Sequence, residues 1–150
     1  SIYKLGYTEP QPDWRQGYQA IDTSYRAEFP EDARREGLCV VSALPVFHDI
    51  YLGKKIGRKY YIPLSHTGLP NDRQLTPTYS IAIPLTDPRQ LSMIDGYALL
   101  DDYSVRLLVN DEMRHYFETT SSWKTIDGPY PLRIWRLRPI PHSVFASRME

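Results

Sequence analysis

One cysteine, Cys39, stands in a chain of 150 residues. That excludes an intramolecular disulfide, and with it the stapled architecture of many small secreted domains. The four histidines come without a CxxC, HxH or HExxH spacing, so the patterns that announce a metal centre are missing. No apolar run approaches the roughly 18 residues of a membrane span, and no signal-peptide pattern is visible. Net charge is lacking as well: 18 basic side chains balance 18 acidic ones. That balance argues against a domain built to coat nucleic acid. Phosphate-binding glycine loops, the dinucleotide fingerprint and the Gly-x-Ser-x-Gly elbow are also absent. The residues therefore call for no cofactor, no metal and no recognised nucleophile.

Aromatic residues are what the chain has in quantity: twelve Tyr, four Phe and three Trp. Tyr pairs a large apolar body with a hydroxyl that needs water or a partner, a composition suited to sheets and amphipathic surfaces. The length is that of one domain able to bury a core without staples. Residues 1–15 read as an N-terminal arm, because Gly6, Pro10, Pro12 and Trp14 fit neither period. Residues 16–150 read as a single globular α+β domain. The start at Ser1 in place of Met raises the expectation of a soluble domain excised from a larger, anchored protein.

Tyr18, Ile21, Tyr25 and Phe29 recur at spacings of three and four, which predicts a helix from Gln16 to Phe29, ended by Pro30. Pro30 to Gly37 reads as a further helical turn. Leu38 to Ala43 is a short apolar run, hence a buried strand with Cys39 as a core thiol. Val46 to Leu52 and Lys59 to Leu64 read as the two arms of a β-hairpin. Ser65 to Thr78 is a long polar loop. Strands are expected over Tyr79 to Leu85, Gly96 to Leu100 and Tyr103 to Val109, with a helical turn over Arg89 to Ile94. Asn110 is a good N-cap for a helix reaching Thr120. Ser121 to Pro131 reads as a loop.

Leu132 to Arg138 is a last strand with an awkward pattern. Regular alternation puts Leu132, Ile134, Arg136 and Arg138 on one face, and Arg133, Trp135 and Leu137 on the other. Either a bulge lies between Ile134 and Trp135, or both faces are mixed. Short connections between neighbouring strands imply antiparallel pairing, and the βα alternation of a doubly wound sheet is missing. The expected fold is α+β: a curved antiparallel β-sheet or a small, partly open β-barrel flanked by two or three helices.

Two sets of residues are candidates for binding. Lys54, Lys55, Arg58 and Lys59 cluster at the expected hairpin tip, the sharpest local departure from neutrality. Such a tip can meet phosphates of nucleic acid or anionic lipid, or simply keep a sheet edge soluble. Trp14, Trp123 and Tyr130 fall in expected loops, and such residues are enriched at protein interfaces. Chemistry is harder to assemble. His48 and Asp49 are neighbours on an expected strand and would face opposite ways. A triad of Cys39, His48 or His66, and Asp49 has no supporting spacing. Asp101 and Asp102 with Ser104 read as a turn, and Asp111, Glu112 and His115 as a solvated helix face.

The functional expectation is a non-enzymatic protein-interaction or accessory domain, whose partner is another protein. One alternative is a binder of nucleic acid or anionic lipid through the basic tip. The other is an enzyme whose site gathers the dispersed His48, Asp49, His66 and His115.

Overall fold

The computed structural model describes residues 11–65 and 82–139. The chain forms α1 (Trp14–Glu28), β1 (Cys39–Ser42), α2 (Val46–Tyr51), β2 (Arg58–Tyr61), β3 (Ile83–Pro84), α3 (Pro88–Leu91), β4 (Gly96–Asp101), α4 (Asp102–Arg106), α5 (Asp111–Thr119), β5 (Lys124–Ile126) and β6 (Leu132–Leu137). The six strands make one sheet in the order β3-β2-β1-β4-β6-β5. The fold is therefore α+β in composition, with a mixed sheet. β1 pairs in parallel with both β2 and β4, and β2 with β3. Only β6 runs antiparallel, to β4 and to β5. The expected antiparallel sheet is corrected accordingly to a mixed one, and among the described residues its order is open, with β3 and β5 at the edges, so the barrel is not confirmed.

The correction has one main cause. Val46 to Leu52 is not a hairpin arm. Val46–Tyr51 is the helix α2, and it carries the chain from β1 across to β2 in parallel. Phe47 and Tyr51 stand one helical turn apart, and their rings stack 6.3 Å from each other. Phe47 also stacks on Trp14 at 4.8 Å, and Tyr51 on Tyr18 at 6.1 Å. Packing on α1 decides the helix, where a short apolar run leaves the period open. Gly57 then turns the chain into β2 at φ +64°, and a Cβ there would lie 2.1 Å from the Leu38 carbonyl oxygen. Only glycine tolerates both conditions.

Helices cover both faces of the sheet. On one face Leu38, Val40, Tyr97, Leu99, Leu132 and Ile134 meet Trp14, Tyr18, Ile21 and Tyr25 of α1 and the aromatic side of α2. On the other, Val41, Ala98, Leu100, Trp135 and Leu137 meet Leu91, Val105, Met113 and Phe117 of α3, α4 and α5. β6 thus supplies both cores. Its register with β4 is continuous from Gly96↔Leu137 to Asp101↔Leu132, so the pairing contains no bulge and both faces are mixed.

Several expectations hold. α1 spans the anticipated helix, with Asp13 accepting from the Gln16 amide as its cap. α5 is capped by Asn110, whose Oδ1 accepts from the Met113 amide at 2.8 Å. β1, β4 and β6 fall where strands were expected. Besides α2, three segments differ. Residues 103–106, read as strand, lie in α4. Residues 124–126, read as loop, form β5. The Pro30 to Gly37 segment is a series of turns. Residues 1–10 of the arm and residues 66–81, which hold most of the long loop, lie outside the described residues.

Candidate functional site

The basic cluster does not stay together. Lys54 and Lys55, in the α2–β2 connection, and Arg58, at the start of β2, are exposed. Lys59 is not: its side chain is 4 % exposed, and Nζ lies 2.6 Å from Asp49 Oδ1, itself 6 % exposed. On β2, Lys59 pairs with Val40 and so points to the face that α2 covers. It also donates to the Lys54 carbonyl at 3.3 Å. The expected tip of four free cations is thereby reduced to three.

The arginines of the last strand are likewise engaged. Arg136 pairs with Glu28 at 3.1 Å and with Asp95 at 2.7 Å, and lies 4.9 Å over the Tyr97 ring. Arg138 reaches Glu28 at 3.2 Å, and Arg133 reaches Asp102 at 3.1 Å from the other face.

His48 is buried under α2. Its Nε2 lies 2.7 Å from the Ile56 carbonyl oxygen, so that nitrogen carries the proton and donates. Nδ1 is then a bare lone pair, buried and without a hydrogen-bond partner. Burial, reinforced by the Lys59 ammonium, pushes the imidazole down to about 4, against the Ile56 carbonyl and Asp49, which favour the cation. His115 is exposed on α5, across the sheet from His48. The dispersed histidines are thus not brought together among the described residues, and His66 and His142 lie outside them. No group of three or more His, Cys, Asp or Glu there could hold a metal ion. Cys39 is half-buried, and burial raises its thiol above the ordinary range.

The aromatic candidates separate too. Trp14, expected in a loop, is 5 % exposed in the first turn of α1 and stacked on Phe47, which corrects its exposed placement. Tyr130 is 44 % exposed in the connection between β5 and β6. Trp123 is 47 % exposed just before β5, with its ring 5.9 Å from Tyr97.

Trp123 borders an open groove of about 700 Å³ between the outer side of α1 and the β5 edge. Gln16, Ala20, Thr23, Ser24 and Ala27 form the helical wall, and Trp123 and Lys124 the strand wall. Ser24 Oγ sits 2.7 Å from the Tyr97 hydroxyl beneath. The wall residues follow spacings of three and four, beside the core stripe of Tyr18, Ile21 and Tyr25. They carry no charge until Glu28 at the end of the helix. That charge-free stripe is the sequence signal for the groove, and it is a weak one beside the core stripe on the same helix. Among the described residues, β5 has a strand neighbour only in β6, so its outer edge offers peptide N–H and C=O groups.

Comparison with known family models, curated proteins and solved structures finds no match. No helix among the described residues is long and apolar enough to cross a membrane.

Proposed function

We propose that this chain is a non-enzymatic protein-interaction domain, and that its partner lays an extended peptide segment along the β5 edge, over the groove beside α1. The observation that carries this reading is the half-exposed Trp123 at an open groove next to a strand edge that is unpaired among the described residues. An extended backbone is the occupant that such an edge accepts, because alternate N–H and C=O groups match it. The neutral amide and hydroxyl side chains of Gln16, Thr23 and Ser24 suit hydrogen bonding to a peptide. They carry no charge, and Lys124 is the one cation that lines the groove.

The basic-tip alternative loses support with the inward turn of Lys59. Lys54, Lys55 and Arg58 remain as a small exposed group, suited to solubility.

Selection of peptides from a random display library on the immobilised domain tests the reading, with affinities measured on purified peptides. Selected peptides should shift the backbone amide signals of α1 and β5. Trp123→Ala should weaken them by about tenfold or more, as loss of an interface aromatic does. The reading fails if no peptide is enriched, or if enriched peptides bind equally to Trp123→Ala. It also fails if the domain instead binds oligonucleotides or anionic vesicles and loses them when Lys54, Lys55 and Arg58 become Ser.

A further inference from the structure

α2 is held to the rest of the fold by two polar contacts beneath it, each nearly shut off from water. His48 donates from Nε2 to the Ile56 carbonyl at 2.7 Å, closing the helix onto the loop that follows. Asp49 accepts from Lys59 at 2.6 Å, closing it onto β2. Above them the helix covers an aromatic surface, where Phe47 lies flat on Trp14 at an interplanar angle of 11° and Tyr51 stacks on Tyr18. Six residues of helix have little stability of their own and depend on such contacts.

Nε2 of His48 can donate to Ile56 in either charge state, but the surroundings of the other ring nitrogen suit only the neutral form. A proton added to His48 arrives at Nδ1, the nitrogen with no acceptor within reach. A buried donor without an acceptor is costly, and a buried cation more so. The groups around the ring do not compensate. Tyr18 of α1 meets it edge-on at 6.1 Å and carries no charge at neutral pH. Lys59 of β2 and Arg35 of the turn before β1 are both cations whose charge opposes protonation, while Asp49, on the same helix, favours it. Asp49 is bound to Lys59, and Arg35 to Asp22 at 2.8 Å.

We propose that His48 is an acid-operated latch: while neutral it holds α2 against the loop and β2, and its protonation at Nδ1 releases the helix and uncovers Trp14 and Tyr18 on α1. The sign follows from linkage. The released ring titrates near its ordinary value of about 6.5, and the latched ring near 4. The latch is therefore fully effective above about pH 6.5 and is progressively lost as the pH falls towards 4. The separation bounds the bias: acidification favours the released helix by up to about 300-fold.

Amide hydrogen exchange of the whole chain between pH 7 and pH 4, corrected for intrinsic rates, tests this, with His48→Gln alongside. Gln can still donate an N–H to the Ile56 carbonyl but does not titrate. In the wild type, protection of the α2 amides should fall towards the 300-fold limit while that of β4 and α5 is kept. In His48→Gln this acid-dependent loss should disappear. Equal acid dependence in both proteins would overturn the latch, as would simultaneous loss in α2, β4 and α5. An NMR titration of the His48 ring in the wild type decides the matter even if the variant does not fold. A midpoint near 6.5 with α2 still protected refutes the proposal, and a midpoint pulled well below 6 together with loss of α2 protection supports it.

Discussion

Replacing Lys59 by Met removes the ammonium from beside Asp49 and keeps most of the side-chain volume. At 2.6 Å the two charges attract with about 6 kcal/mol if the effective dielectric constant is near 20. That gain is offset by the loss of hydration, several kcal/mol for each ion, because the side chains are only 4 % and 6 % exposed. The intact pair therefore contributes little net stability, yet losing one member is costly. Lys59→Met should destabilise by about 3–5 kcal/mol at pH 7, a large part of the stability of an ordinary domain. With a urea slope of about 2 kcal/mol/M, the midpoint should fall by about 2 M, read from tryptophan fluorescence. Asp49→Leu combined with Lys59→Met should recover a large part of that loss, because neither buried charge then remains, the rest reflecting the contact that Asp49 makes besides Lys59. A loss below about 1 kcal/mol in the single variant would mean that the Asp49 carboxylate stays compensated, by water or by its further contact, and the account of a costly lone charge would be wrong. A double variant as unstable as the sum of two damaging singles would refute the account of desolvation.

Two further outcomes are expected. Asn110→Ala should cost about 1 kcal/mol in the same assay, since the Met113 amide loses its cap and the Thr86 carbonyl loses the Asn110 Nδ2 donor at 2.7 Å; an unmoved midpoint would contradict the cap. Gly57→Ala should cost more than about 2 kcal/mol, because positive φ and a carbonyl oxygen 2.1 Å from the new Cβ act together; an unchanged midpoint would place β2 differently.

Long, strongly periodic elements could be read from the residues, and short ones could not. α1 repeats its aromatic stripe over four turns and is bounded by Asp13 and Pro30, so pattern and caps agree. α5 needed only Asn110 and two acids. α2 has six residues, too few to separate a period of 3.6 from one of 2. Its Phe47–Tyr51 spacing was visible, but what makes it helical is the surface of Trp14 and Tyr18, some thirty residues earlier. Reading α2 as a strand then produced the hairpin, the hairpin produced the antiparallel sheet, and the sheet placed Lys59 at an exposed tip. One local misreading thus spread into topology and site. β6 was legible as a strand, but its faces were left open between a bulge and a mixed pattern, because a strand that serves both cores shows no apolar alternation.

The same dependence explains why the polar residues were harder to place than the apolar ones. An apolar side chain reports its burial through a periodic stripe or a continuous apolar run, as Tyr18 and Val40 do. His48, Asp49 and Lys59 lie in a stretch whose composition suggests a charged surface, and their burial follows from which strand runs beside which. Lys59 faces inward because β2 is parallel to β1 and Val40 is its partner. His48 is neutral because it is buried against the sheet, and its proton sits on Nε2 because the turn at Gly57 brings the Ile56 carbonyl to that nitrogen. The groove at Trp123 likewise exists because β5, a strand of three residues, is the last strand of the sheet among the described residues and lies beside the charge-free side of α1. In each case the chemistry of the residue was evident and its neighbour was not. Topology supplies the neighbour, and with it the difference between a solvated lysine and a buried ion pair.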